Sequence, residues 1–302
     1  MDAHPDAIAP AGAGRTALRL ERRVDEPPAR VWAALTEPEL LARWFPARVA
    51  LEPRAGGTIG FLVSGASGGS AGESADGPRG EEEPTSTGTV TAWDEPRLFA
   101  FTWGEDELRW ETAPDGDGTL LTLTHTFGDP WGAASFASGW HLCLTALSQL
   151  LAGQEITAGR DSAGTLHEEY VHRLGLDRGT VEPTGDGGRR IRYERQLVRP
   201  ATTVWDELTG PTTPLLSGPV PPGFTVPGAR PGRITELRPP RLLAYEPPSG
   251  GEVRWRLQEG TGHGARLILT ATVPGEAEDT AEATLESWRT RIERLAAELT
   301  RR

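Results

Sequence analysis

The sequence predicts an α+β protein built twice over, each half a meander of antiparallel strands followed by one long amphipathic helix. Three observations lead there: the chain repeats itself, its apolar residues alternate between hairpin turns, and a broad apolar stripe closes each half. Laid without a gap, "LERRVDEPPARVWAALTE" (20–37) over "YERQLVRPATTVWDELTG" (193–210) pairs Glu21 and Arg22 with Glu194 and Arg195, Val31 and Trp32 with Val204 and Trp205, and Leu35 and Thr36 with Leu208 and Thr209. Farther on, "GTVTAWDEPRLFAF" (88–101) pairs with "GRITELRPPRLLAY" (232–245), "ELRWE" (107–111) with "EVRWR" (252–256), "GTLLTLTHTF" (118–127) with "GARLILTATV" (264–273), and Trp140 with Trp288. The order never breaks, which is the mark of a duplicated domain.

Within the first copy, Pro28 suits a first helical turn, and Val31, Trp32 and Leu35 fall on one face. Thr36 reads as a fresh N-cap before Glu37, Pro38 and Glu39, with a second short helix running to about Trp44. Trp44 and Phe45 then stand just before Pro46, either as a lid over the core or as the lining of a cavity mouth. Strands follow from alternation: Phe99, Phe101 and Trp103 share a face, as do Leu108 and Trp110, and as do Leu121, Leu123, His125 and Phe127. "DEPR" (94–97) and "PDGDG" (114–118) supply the hairpin turns. A helix over about 132–152 stacks Phe136, Trp140, Cys143, Leu144, Leu147 and Leu151 and ends before Gly153. A lone helix of that kind is expected across the concave face of the sheet. Residues 64–87 lack any apolar period and read as a disordered acidic insertion. Two domains are thus expected at 16–152 and 189–302, joined by a linker at 153–188 with a short helix near "TLHEEYVHRLGL" (165–176).

Composition narrows the function. The net charge of −12 argues against nucleic acid as a partner, since phosphate binding needs a basic footprint. The charge is uneven: residues 1–188 carry 14 Arg against 29 acids and residues 189–302 carry 17 Arg against 14, opposite signs that favour docking of the halves. No apolar run is long enough to cross a bilayer and no leader precedes the first strand, so no membrane role is expected. A single cysteine, Cys143, permits no intramolecular disulfide and fits the cytoplasm. All 31 basic residues are arginine, a usage read as bacterial, from a GC-rich genome.

Taken together, "PPARVWAALTEPELLARWF", "GGTIGF", "GTVTAWDEPRLFAFTW", "GTLLTLTHTF" and "GWHLCLTALSQLL" make the first copy resemble the Hsp90-ATPase-activator-homologue family, within the START-like, helix-grip superfamily. The resemblance spans nearly all of 16–152. It implies tandem helix-grip domains, each a curved antiparallel sheet gripping its last helix, with two short helices after the first strand closing a cavity. The second copy departs from the pattern. "GPTTPLLSGPVPPGF" (210–224) replaces "EPELLARWFP" and is too rich in proline and glycine for the second helix, Ala271 replaces His125, and a "PPSGG" turn begins where Trp103 stands. A shrunken pocket and a structural role are expected there.

Several chemical motifs fail on context. "GASGG" (65–69) is followed by low-complexity Ser and Gly where a nucleophile elbow needs a helix, and "GAGRTA" (12–17) opens no helix. "HEEYVH" (167–172) sets its histidines five apart, about 140° round a helix, so no metal site and no cofactor are expected. His125 is the one polar group placed inside the cavity, able to meet a ligand carbonyl or to act as acid or base. The ligand-binding set is Trp44, Phe45, Phe61, Phe101, Trp103, Trp110, His125, Trp140 and Leu144, with no catalytic residue assigned. The leading reading is a binder of a small hydrophobic molecule. An aromatase- or cyclase-like enzyme, or a co-chaperone-type protein-interaction module, are the alternatives.

Overall fold

Alternation becomes two antiparallel sheets in a computed structural model that describes residues 6–62, 85–157, 163–185, 187–230, 232–262, 264–275 and 278–301. The chain divides into two units, Met1–Pro130 with Gly139–Arg160, and Trp131–Ser138 with Asp161–Arg302. Most of the insertion read at 64–87, "GASGG" included, lies outside the described residues; its last residues, Ser86 and Thr87, already belong to a strand.

The first unit starts earlier than the sequence suggests. β1 (Ala7–Pro10) pairs with β2 (Thr16–Val24), Ala7 opposite Arg19 and Pro10 opposite Thr16. Gly12, Ala13 and Gly14 turn between them at φ of 78°, 48° and 74°, so the glycines of "GAGRTA" serve a hairpin. α1 (Pro28–Thr36) buries Val31, Trp32, Ala34 and Leu35, as its apolar spacing requires. Thr36 is not the cap of the next helix: it ends α1, and its hydroxyl donates back to the Trp32 carbonyl at 2.8 Å. α2 (Pro38–Leu41) stops short of Trp44, after which the chain turns, with Phe45 N–H donating to the Leu41 carbonyl at 2.9 Å. Then follow β3 (Arg48–Leu51), β4 (Thr58–Leu62), β5 (Ser86–Asp94), β6 (Leu98–Trp103), β7 (Asp106–Asp115), β8 (Gly118–Phe127) and α3 (Ala133–Leu151). The sheet order is β1-β2-β8-β7-β6-β5-β4-β3.

The second unit contains α4 (Ala163–Arg173), β9 (Gly179–Pro183), β10 (Arg189–Gln196), α5 (Ala201–Thr209), β11 (Arg233–Arg238), β12 (Leu242–Glu246), β13 (Glu252–Glu259), β14 (Ala265–Val273) and α6 (Glu278–Thr300). Its order, β9-β10-β14-β13-β12-β11, is that of the first sheet without β3 and β4. The stretch read as linker therefore carries a helix and the edge strand β9, the counterpart of β1. A bulge recurs at the same step in both copies, between Val90 and Ala92 and between Ile234 and Glu236. The matched pairs Trp32 and Trp205, Trp110 and Trp255, and Trp140 and Trp288 are all buried.

The arginine of the shared "ER" pair is anchored in each unit by an acid from the chain before it. Arg22 grips Asp6 at 2.6 and 3.1 Å, and Arg195 binds Glu168. After α5, the described residues of the second unit form no second α-helix before β11, and a 3₁₀ turn at Pro222–Phe224 stands there. Gly223 is required there, because a Cβ would lie 2.0 Å from the Leu208 carbonyl oxygen. That close approach drives Phe224 into the core, edge-on to Trp205 at 5.3 Å and Trp255 at 5.6 Å, where the Trp255 indole and the Tyr245 hydroxyl both donate to its carbonyl.

Candidate functional site

The two short helices of the first unit place Trp44 and Phe45 inside the protein. The Trp44 indole N–H donates to the Ala34 carbonyl on α1 at 2.9 Å, which fixes the turn after α2 against the helix before it. Trp44 then lies edge-on to Trp110 of β7 at 5.6 Å, and Phe45 stacks on Trp103 of β6 at 5.6 Å and reaches Trp140 of α3 at 5.7 Å. Phe61 of β4 closes the stack, parallel to Trp103 at 4.5 Å.

Among the described residues, Trp44, Phe45 and Trp110 border a hollow of about 10 Å³ whose lining also includes Leu35, Leu41, Val49, Ile59, Phe99 and Phe101. Four of the nine residues singled out in the sequence, Trp44, Phe45, Phe101 and Trp110, stand on this wall. Phe61, Trp103, His125 and Trp140 belong to the adjoining aromatic layer, and Leu144 is buried on α3 off the wall. Leu35, Leu41, Val49, Ile59 and Phe99 complete it, and sequence reasoning left them out of the ligand-binding set. Leu35 and Phe99 carried a signal, sharing faces with Trp32 and Phe101. The hollow holds one water-sized sphere and no ligand as it stands.

His125 does not present its nitrogens to this hollow. Trp140 Nε1 donates to His125 Nδ1 at 3.1 Å, and because an indole N–H can only donate, Nδ1 must be the accepting nitrogen. The proton of the neutral ring therefore sits on Nε2, 3.0 Å from Asp106 Oδ2, which accepts it. Arg15 stands 4.0 Å from the other Asp106 oxygen. Asp106, His125 and Trp140 form a chain that fixes the indole of α3 against the sheet, and no lone pair of the ring is left for acid or base work in this geometry. His125→Phe keeps a ring of similar size and breaks both bonds; it is expected to cost about 1–3 kcal/mol through the unpaired indole and carboxylate. Urea unfolding followed by far-UV circular dichroism checks this, and a cost near zero would mean the chain of bonds is idle.

Cys143 is half-buried on α3, and burial pushes its thiol up to about 12, which makes it inert at neutral pH. No described helix is long and apolar enough to cross a membrane.

Residues 25–152 match the family described as Activator of Hsp90 ATPase homolog 1-like protein. No curated protein matches the chain. Among solved structures, CalU16 from Micromonospora echinospora is 21% identical, with 53% of this chain and 89% of that one covered at a TM-score of 0.40. A conserved protein of unknown function from Enterococcus faecalis is 19% identical, with 56% and 90% covered at a TM-score of 0.42. A protein from Bordetella parapertussis is 26% identical, with 57% and 93% covered at a TM-score of 0.41.

Proposed function

With residues 25–152 belonging to the Activator of Hsp90 ATPase homolog 1-like family, we propose that the first domain binds a small, largely hydrophobic molecule beneath its two short helices, in the cytoplasm of a bacterium. The supporting observation is the wall of the hollow: nine apolar side chains from α1, α2, the turn after it and four strands meet there. Binding is by induced fit. A ligand enters by parting Trp44 and Phe45 from the sheet, because the resting volume of about 10 Å³ admits nothing larger than water. Affinity comes from buried apolar area, about 25 cal/mol per Å² before the cost of opening. With both His125 nitrogens engaged inside the protein, the ligand needs no polar end there. The second domain, its centre filled by Phe224, serves a structural role.

Titration of tryptophan fluorescence with fatty, aromatic and polyketide-like compounds tests the reading, on wild type and on Phe45→Ala. Saturable binding is expected in both, tighter by about tenfold in the variant, where the ring a ligand must displace is already gone. A panel that binds neither protein defeats the proposal. The near closure of the hollow favours a second reading in that event, in which this surface of the family fold meets a protein partner.

A further inference from the structure

The second unit holds a charged cluster that ligand binding in the first does not use. α4 carries Glu168 and His172 four residues apart and so on one face. Within "HEEYVH" the two histidines lie on different faces, whereas Glu168 and His172 share one. α6 brings Glu293 to them, and one donor atom from each of Glu168, His172 and Glu293 lies within 4.8 Å of the others.

The donors are already oriented. His172 Nδ1 stands 3.1 Å from Asp177 Oδ2, and since an ionised carboxylate only accepts, Nδ1 carries the proton. In the neutral ring Nε2 then offers a lone pair, and it faces Glu293 Oε2 at 3.7 Å. That oxygen also meets the Arg195 guanidinium, and the Tyr193 hydroxyl donates to the other, Oε1, at 2.7 Å, so the lone pair of Nε2 and the remaining lone pair of Oε2 border one gap. Asp177 is itself held by Arg289 at 2.6 Å, the outer-shell arrangement that fixes a metal-ligating imidazole. The wholly buried Arg195 binds one oxygen of Glu168 and one of Glu293, which leaves Glu168 Oε1 buried with no hydrogen bond. His167 is a second, independent sign. It is only 5% exposed, Nε2 has no hydrogen-bond partner among the described residues, and Nδ1 meets Glu168 Oε1 only at the long distance of 3.4 Å.

We propose that Glu168, His172 and Glu293 bind one divalent transition-metal ion and that Asp177 and Arg195 orient the ligands. One imidazole and two carboxylates form a mixed nitrogen and oxygen set that suits Zn²⁺, whereas Mg²⁺ and Ca²⁺ take oxygen shells. The His172 side chain is 54% exposed, so solvent reaches the ion and completes its coordination. The ion ties α4 to α6.

Isothermal titration calorimetry of the full chain, first stripped with chelator, measures this with ZnCl₂ and MgCl₂. One Zn²⁺ per chain is expected, with no Mg²⁺ binding. His172→Ala and Glu168→Gln each weaken Zn²⁺ by more than about tenfold, and Asp177→Asn, which frees the imidazole, by about tenfold. His172 is largely exposed, so its variant keeps the test decisive even if Glu168→Gln fails to fold. Wild type that takes up no Zn²⁺, or His172→Ala that binds it with unchanged affinity, overturns the site.

Discussion

Trp140→Ala is expected to destabilise the protein by about 3–5 kcal/mol, the range for removing a large buried aromatic. Trp140 touches Phe45 and Trp110 at 5.7 and 5.6 Å and donates a hydrogen bond to His125 Nδ1, so truncation opens a hole and removes that donor together. Trp140→Phe weights the two effects differently, since it keeps much of the ring volume but loses the whole N–H donor; about 1–2 kcal/mol is expected of it. Urea unfolding followed at 222 nm by circular dichroism reads both without relying on the indole that has been removed. A loss below about 1 kcal/mol for the alanine variant would show that the aromatic layer collapses around the gap.

Arg195→Met carries the other large effect. The guanidinium is fully buried between Glu168 and Glu293, and taking away the cation leaves two carboxylates facing each other out of water, at about 3–5 kcal/mol. The same change made with Glu168→Gln and Glu293→Gln should recover much of that loss, because no uncompensated charge remains. Burial alone would raise the Glu168 pKa, but the His167 and Arg195 contacts outweigh it and hold the carboxyl below its ordinary value. Asp177 is lowered as well, against its own burial, by Arg289 and His172. Groups with depressed folded-state values stabilise fully above the unfolded carboxylate range and lose that contribution as the pH falls through the folded values. Wild type should therefore lose stability below about pH 5, and Arg195→Met should lose less of it. Equal acid slopes in the two proteins would remove Arg195 as the cause.

Local signals carried most of the fold. The α1 face, the hairpins of β6, β7 and β8 and the stripe of α3 are each written within a window of ten to twenty residues, so periodicity and turn chemistry suffice. β1 and β9 were not legible for the opposite reason. "AIAP" and "GTVEP" are too short to show a period, and they are strands only because β2 and β10 offer them an edge. Thr36 looked like a cap because its neighbours did; the Trp32 carbonyl one turn back was the nearer acceptor. The site divides the same way. Alternation placed His125 among the aromatics, but its partners come from elsewhere: Asp106 through the tight turn that pairs it with Trp103, and Trp140 through the docking of α3. The size of the hollow depends on how Phe45, Phe61 and Trp103 nest, which composition does not encode.

The anchored arginines decide where this chain can be divided. The repeat becomes readable at about Thr16 and again at Arg189, and those are the places a boundary would be drawn by eye. A first half begun at Thr16 would strip Arg22 of Asp6, a partner it holds with both nitrogens. A second half begun at Arg189 would be worse off, since it discards α4 and seals the Arg195 guanidinium in the interior with half of its countercharge gone. The shortest stretch with a chance of standing alone as the second half begins ahead of Ala163, some way upstream of the point where kinship between the copies can be seen.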